Sequence, residues 1–76
     1  MEKVFAQHAT AGKYHLETWP MDGRWEWKAI AMKPGLPEFT GTADSLEGAK
    51  ERAMHSIGRM TELMWTVVGP ERQDSD

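Results

Sequence analysis

Cysteine is absent from the chain, which excludes a disulfide framework and every thiolate-based nucleophile or metal site. That agrees with a reducing compartment. Long apolar runs are missing too. No stretch approaches the roughly 18 residues of a membrane span, and no charged-then-apolar leader opens the chain. The expectation is a soluble, cytoplasmic protein. A basic excess is also lacking. Nine Lys and Arg face twelve Asp and Glu, a formal net charge of −3. Residues 1–33 are close to balance. The deficit lies in residues 34–76, where Lys50, Arg52, Arg59 and Arg72 face Glu38, Asp44, Glu47, Glu51, Glu62, Glu71, Asp74 and Asp76. A duplex-binding domain carries a basic stripe that releases counterions, and none is present. An acidic half suits a protein partner with a basic surface.

What the chain does have is tryptophan, four residues in 76. A chain of this length is one domain, taken as residues 1–76, and buries only about 60% of its unfolded surface, so each large ring counts. No internal repeat or low-complexity tract divides it. Residues 1–12 are open between a loose segment and a short strand with Val4 and Phe5. "YHLETW" (14–19) alternates as a strand, with Tyr14, Leu16 and Thr18 on one side and His15, Glu17 and Trp19 on the other. Asp22-Gly23 follows as a hairpin turn, and "RWEWKAIAM" (24–32) returns. With a two-residue turn, position i faces 45 − i. Glu17 then faces Lys28, Thr18 faces Trp27, Leu16 faces Ala29 and Trp19 faces Glu26.

Trp25, Trp27, Ala29 and Ala31 therefore share the Tyr14 side. Two large rings followed by two small residues suit a helix seated on that face, which makes Trp27 core and leaves Trp25 half exposed near the turn. Pro34 and Pro37 exclude helix in residues 34–37, and residues 38–43 can form a third short strand. In "ADSLEGAKERAMHSIGRMTELM" (43–64), Asp44 is the expected N-cap and Glu47 the capping-box partner. Leu46, Ala49, Ala53, Ile57, Met60 and Met64 form one apolar stripe, with Gly58 marking an end or a bend. "WTVV" (65–68) is a final strand and residues 70–76 a frayed acidic tail. The expected fold is α+β, a two-layer β-β-β-α-β domain with one helix packed on a small antiparallel sheet.

Catalytic chemistry has little to stand on. His8, His15 and His55 fall on separate elements without metal-ligand spacing. Glu47 and Glu51 are one helical turn apart, but paired carboxylates need a pocket that perturbs them. Ser45 and Ser56 lack a nearby base, and no glycine-rich phosphate loop occurs. The expectation is no enzyme, no cofactor and no metal. A stacking platform for single strands built on Trp25 and Trp27 is weakened because Arg24 and Lys28 lie on the opposite side of the strand from those rings.

One stretch resembles a known family. In "PGLPEFTGTADSLEGAKERAMHSI" (34–57), Pro34, Leu36, Pro37, Asp44, Leu46, Glu47, Ala49, Ala53 and Ile57 match without a gap a pattern of HicB-like antitoxins, with Ser45 in place of threonine. The preceding hairpin falls where that family has its first hairpin, so the likeness spans about residues 13–57. Glu38-Phe39 replace the family's glycine-cysteine and Ala43 replaces a glycine; most such antitoxins continue into a DNA-binding domain, which is not expected here. The resemblance implies a non-catalytic domain that masks a basic, RNA-cleaving toxin. In size, acidity and lack of cysteine the chain is also similar to phage anti-CRISPR proteins, which often cover a nucleic-acid-binding surface of their target.

The function expected from the sequence is thus a protein-binding inhibitor of a basic bacterial partner, a CRISPR effector subunit or a toxin ribonuclease. The contact residues would be Trp19, Glu17, Glu26, Glu47, Glu51 and Trp25. Trp19 is expected to be exposed, because the helix covers only the other face. The competing arrangement has the N-terminal segment, through Val4 and Phe5, folded over that ring. The alternative function is a small nucleic-acid-binding module using the Trp-rich hairpin, and a homodimer is left open.

Overall fold

A computed structural model describes residues 6–68 of the chain. The elements are β1 (Gln7–Ala11), β2 (Tyr14–Met21), β3 (Arg24–Ala31), β4 (Phe39–Ala43), α1 (Leu46–Ser56) and β5 (Thr66–Val67). All strands pair antiparallel in one sheet of order β4-β3-β2-β1-β5. The protein is an α+β domain of two layers, with α1 lying across β2, β3 and β4. Val4, Phe5 and the tail 70–76 lie outside the described residues.

The central hairpin follows from turn chemistry. Asp22 and Gly23 both take positive φ, 50° and 79°, the geometry of a two-residue primed turn, which asparagine, aspartate and glycine tolerate best. That turn sets the register. Leu16 faces Ala29, Glu17 faces Lys28, Thr18 faces Trp27 and Trp19 faces Glu26, as the 45 − i rule requires. Residues 7–11 form a full strand, so the sheet has five strands where four are read from the sequence. β1 joins β2 through a second two-residue turn at Gly12-Lys13, with Ala9 opposite Leu16 and Ala11 opposite Tyr14.

The core is made of small residues around one large ring. Leu16, Ala29, Ala49 and Ala53 are fully buried, and Trp27 and Ala43 nearly so. Tyr14, Trp25, Phe39, Ile57, Leu63 and Trp65 pack around them. Alanine at 29, 49 and 53 removes the bulk that would hold α1 off the sheet, and the Trp27 indole fills the space beside it. Gly41 sits directly under that indole. A Cβ placed there would lie 2.7 Å from Trp27 Cζ2 and 2.9 Å from Nε1, so any side chain at this position forces the indole to move.

Three expectations about the helix are corrected. The N-cap is Ser45, not Asp44: its backbone is extended and its Oγ accepts from the Gly48 N–H at 3.0 Å. Aspartate and serine cap about equally well, so intrinsic preference does not choose between neighbours. With the cap at 45, Glu47 occupies the second helical position instead of the third, which removes the capping box and leaves Glu47 as an acid in the first turn. The helix also stops at Ser56. Gly58 takes φ of 76°, the Gly58 N–H donates to His55 O at 2.9 Å and the Arg59 N–H to Met54 O at 2.9 Å. That pair of bonds is a Schellman closure. Met60 and Met64 consequently leave the helical stripe and are 78% and 87% exposed. The chain returns along the helix side, and β5 adds to the β1 edge over two residues, shorter than the 65–68 expected.

Ser45→Ala should lower stability by about 1 kcal/mol, while Asp44→Ala should move the melting temperature little; equal losses would return the cap to Asp44. Gly41→Ala should cost about 1–3 kcal/mol through forced displacement of Trp27, measured by denaturant unfolding, and an unchanged midpoint would mean that the indole yields without cost.

Candidate functional site

Facing residues of an antiparallel pair project to the same side of the sheet, so the registers map both faces. The covered face carries Ala9, Leu16, Thr18, Trp27, Ala29 and Ala43 under α1 and the returning segment. The other face has no layer over it among the described residues. One row runs Thr66, His8, Glu17, Lys28, Thr40 across all five strands, and the next row toward the hairpin turn runs Trp19, Glu26, Thr42 across β2, β3 and β4. Trp19 lies toward the hairpin-turn end of β2, paired with Glu26 on β3 and one residue past Thr18, the last β2 residue paired with β1.

Trp19, Glu17 and Glu26 are all half-buried, whereas Arg24 and Lys28 on the same face are exposed. The expected exposure of Trp19 is corrected to partial burial. The opposite-charge register Glu17–Lys28 is present, but the Glu17 carboxylate pairs with His15, at 3.2 Å from Nε2. The His15 ring in turn lies 5.3 Å from the His8 ring. That cluster was not read from the sequence, because it needs the β1–β2 register. Gly12-Lys13 between the alternating runs 7–11 and 14–19 is the signal that could have found it. Among the described residues no three His, Asp or Glu side chains are placed to hold a metal ion.

The remaining candidates lie on the other side of the sheet. Trp25 packs, half-buried, against the core cluster. Glu47 and Glu51 are exposed on α1 and line a cleft of about 440 Å³ between the helix and residues 59–65, together with Lys50, Arg59, Leu63 and Trp65. Lys50 Nζ lies 5.6 Å above the Trp65 ring, a cation–π contact within the chain. The six expected contact residues therefore form two groups on opposite faces: Trp19, Glu17 and Glu26 on the open sheet, Glu47, Glu51 and Trp25 on the helix side. One flat partner surface cannot meet both at once.

The two candidate serine hydroxyls are engaged with the backbone. Ser45 Oγ caps α1, and Ser56 Oγ donates to Ala53 O at 2.7 Å. No family model, curated protein or solved structure matches the chain, and no helix among the described residues is long and apolar enough to cross a membrane.

The two faces predict opposite phenotypes for two tryptophans. Trp27→Ala should cost about 3–5 kcal/mol, enough to unfold most of a domain this small. Trp19→Ala should cost about 1 kcal/mol and keep a cooperative melt. Equal unfolding by both would make Trp19 part of the core.

Proposed function

We propose that this chain is a non-enzymatic, protein-binding inhibitor whose open sheet face covers a basic functional surface of a bacterial partner. The observation that supports the reading is Trp19: a large ring, half-buried on a sheet face that no other described element covers, beside Glu17 and Glu26. Rigid aromatic anchors of this kind dominate protein interfaces, and flanking carboxylates favour a partner that brings Lys or Arg. The resemblance of residues 13–57 to HicB-like antitoxins supports a toxin ribonuclease as that partner. The small, acidic, cysteine-free composition supports equally a CRISPR effector subunit and a phage origin. Both versions act in the cytoplasm.

A second reading gains from one observation. Arg24 and Lys28 share a face with Trp19, so the separation of charges from rings that disfavours Trp25 and Trp27 does not apply there. A ring with basic neighbours on an open sheet is the composition of a single-strand platform.

Affinity capture from a bacterial lysate separates the two when run with wild type, Trp19→Ala and Glu17→Gln/Glu26→Gln. The inhibitor reading expects one protein partner retained by wild type and lost by Trp19→Ala, a truncation worth about 2 kcal/mol or more at an anchor. Filter binding to single-stranded oligonucleotides, falling steeply with salt and lost on Arg24→Gln/Lys28→Gln, would replace it with the nucleic-acid reading.

A further inference from the structure

The hydrogen-bond phase of the sheet shows what its long edge is built to accept. In an antiparallel pair, facing residues alternate between bonded and non-bonded. The Met32 N–H donates to Lys13 O at 2.8 Å, and 13 and 32 obey the same 45 − i rule as the β2–β3 ladder. The odd positions of β2 are therefore bonded to the even positions of β3. The odd positions of β3, namely 25, 27, 29 and 31, turn their peptide groups toward β4. Two side-chain bonds confirm the phase. The Ala31 N–H, beyond the end of β4, is taken by Glu38 Oε2 at 3.0 Å, and Thr40 Oγ1 donates to Trp27 O at 3.0 Å. Since Trp25, Trp27 and Ala29 face Ala43, Gly41 and Phe39, those three spend their peptide groups inward. The N–H and C=O of Thr40 and Thr42 point out of the sheet.

Among the described residues β4 is thus an edge of five residues with no charge, no proline and no bulge within it, whereas natural edges are usually blunted by such devices. Among the described residues the opposite edge strand, β5, has only two residues. The sequence of β4, Phe-Thr-Gly-Thr-Ala, is nearly symmetric about Gly41. Paired antiparallel with itself about that glycine, Thr40 faces Thr42 of a second copy twice, Gly41 faces Gly41, and Phe39 faces Ala43 twice. The Thr pairs fall on the open face, where facing threonines hydrogen-bond favourably, and large meets small on the helix side. Every outward peptide group in the strand finds a partner, giving four inter-chain hydrogen bonds.

We propose that the protein self-associates through this edge, as a two-fold dimer in which β4 pairs with β4 of a second copy. The isologous contact closes on itself and does not propagate. Its axis runs perpendicular to the sheet, so both helices lie on one side and both Trp19 surfaces on the other, in one ten-stranded sheet. A five-residue edge falls short of the roughly 1,000 Å² of a stable interface, so the dimer is weak and concentration-dependent. The same register brings Glu38 of one copy opposite Asp44 of the other, a like-charge contact that opposes pairing and that salt screens. Association consequently strengthens as salt rises, the reverse of a contact held by ion pairs.

Sedimentation equilibrium over a wide concentration range tests this without knowledge of any partner, so its outcome is independent of the inhibitor reading. Wild type should show a monomer–dimer equilibrium that tightens with added salt. Thr42→Pro removes only an outward N–H, at a site where an edge strand tolerates proline, and deletes two of the four inter-chain bonds by symmetry. It should keep the wild-type circular dichroism and melting curve while weakening dimerisation by more than about tenfold. Thr42→Val keeps the N–H and should dimerise like wild type. A protein monomeric up to its solubility limit, a dimer indifferent to Thr42→Pro in the folded state, or a dimer dissolved by salt would each overturn the proposal.

Discussion

The contact between the Trp27 indole and the bare backbone of Gly41 is the constraint on which the rest of the domain depends. A core this small cannot accommodate a large ring unless its neighbours give way, and they do so in every direction. Gly41 carries no side chain because a Cβ would lie 2.7 Å from the ring. Ala29, Ala49 and Ala53, all fully buried, let α1 come down beside it. The ring then supplies most of the apolar volume that the alanines lack, so large and small are paired across the layers. The same contact ties β4 to β3 and so decides which peptide groups of β4 remain free.

One helix covers one face of the sheet, and the proposed function rests on the face that the described residues leave open. The side left open among the described residues holds Trp19 among charges of both signs on strands that cannot shift register without turning every buried residue outward. Under the proposed function, a ring on such strands would lose little entropy when a partner seats on it. The helix side presents a different surface, a cleft flanked by Glu47 and Glu51 whose aromatic ring already holds Lys50. The sheet thickness between the two makes them separate surfaces. A dimer through β4 would enlarge the first without altering the second and would give two anchors on one side, so a partner with repeated basic sites would be held by avidity.

Much of this architecture is legible in the residues themselves. Asp22-Gly23 determined the hairpin and with it every pairing from Tyr14 to Ala31, because a two-residue primed turn admits one register. The alternation in 14–19 and 24–31 sorted Trp27 and Ala29 from Trp19 and Glu26, since side chains in a strand have a period of two. The small stripe Ala49 and Ala53 identified the helical face. Gly58 was visible as an end or a bend, though not as the stop that expels Met60 and Met64, because the stripe continued through it at helical spacing. The cap went to Ser45 over Asp44 since two good capping residues stood side by side.

Tertiary structure alone decided the rest. The strand at 7–11 forms because β2 has a second edge to fill, not from strong local propensity in Gln-His-Ala-Thr-Ala, and only its pairing brings His8 toward His15. The division of Trp19, Glu17 and Glu26 from Glu47, Glu51 and Trp25 required knowing which face the helix takes across the whole sheet. The outward phase of Thr40 and Thr42 required the hydrogen-bond parity of β2, β3 and β4 together. Turns and periodicity are local, determined by φ and by side-chain alternation within a few residues. Edges, faces and clusters are relations between strands distant in the chain, and they come into being only when the sheet closes its ladder.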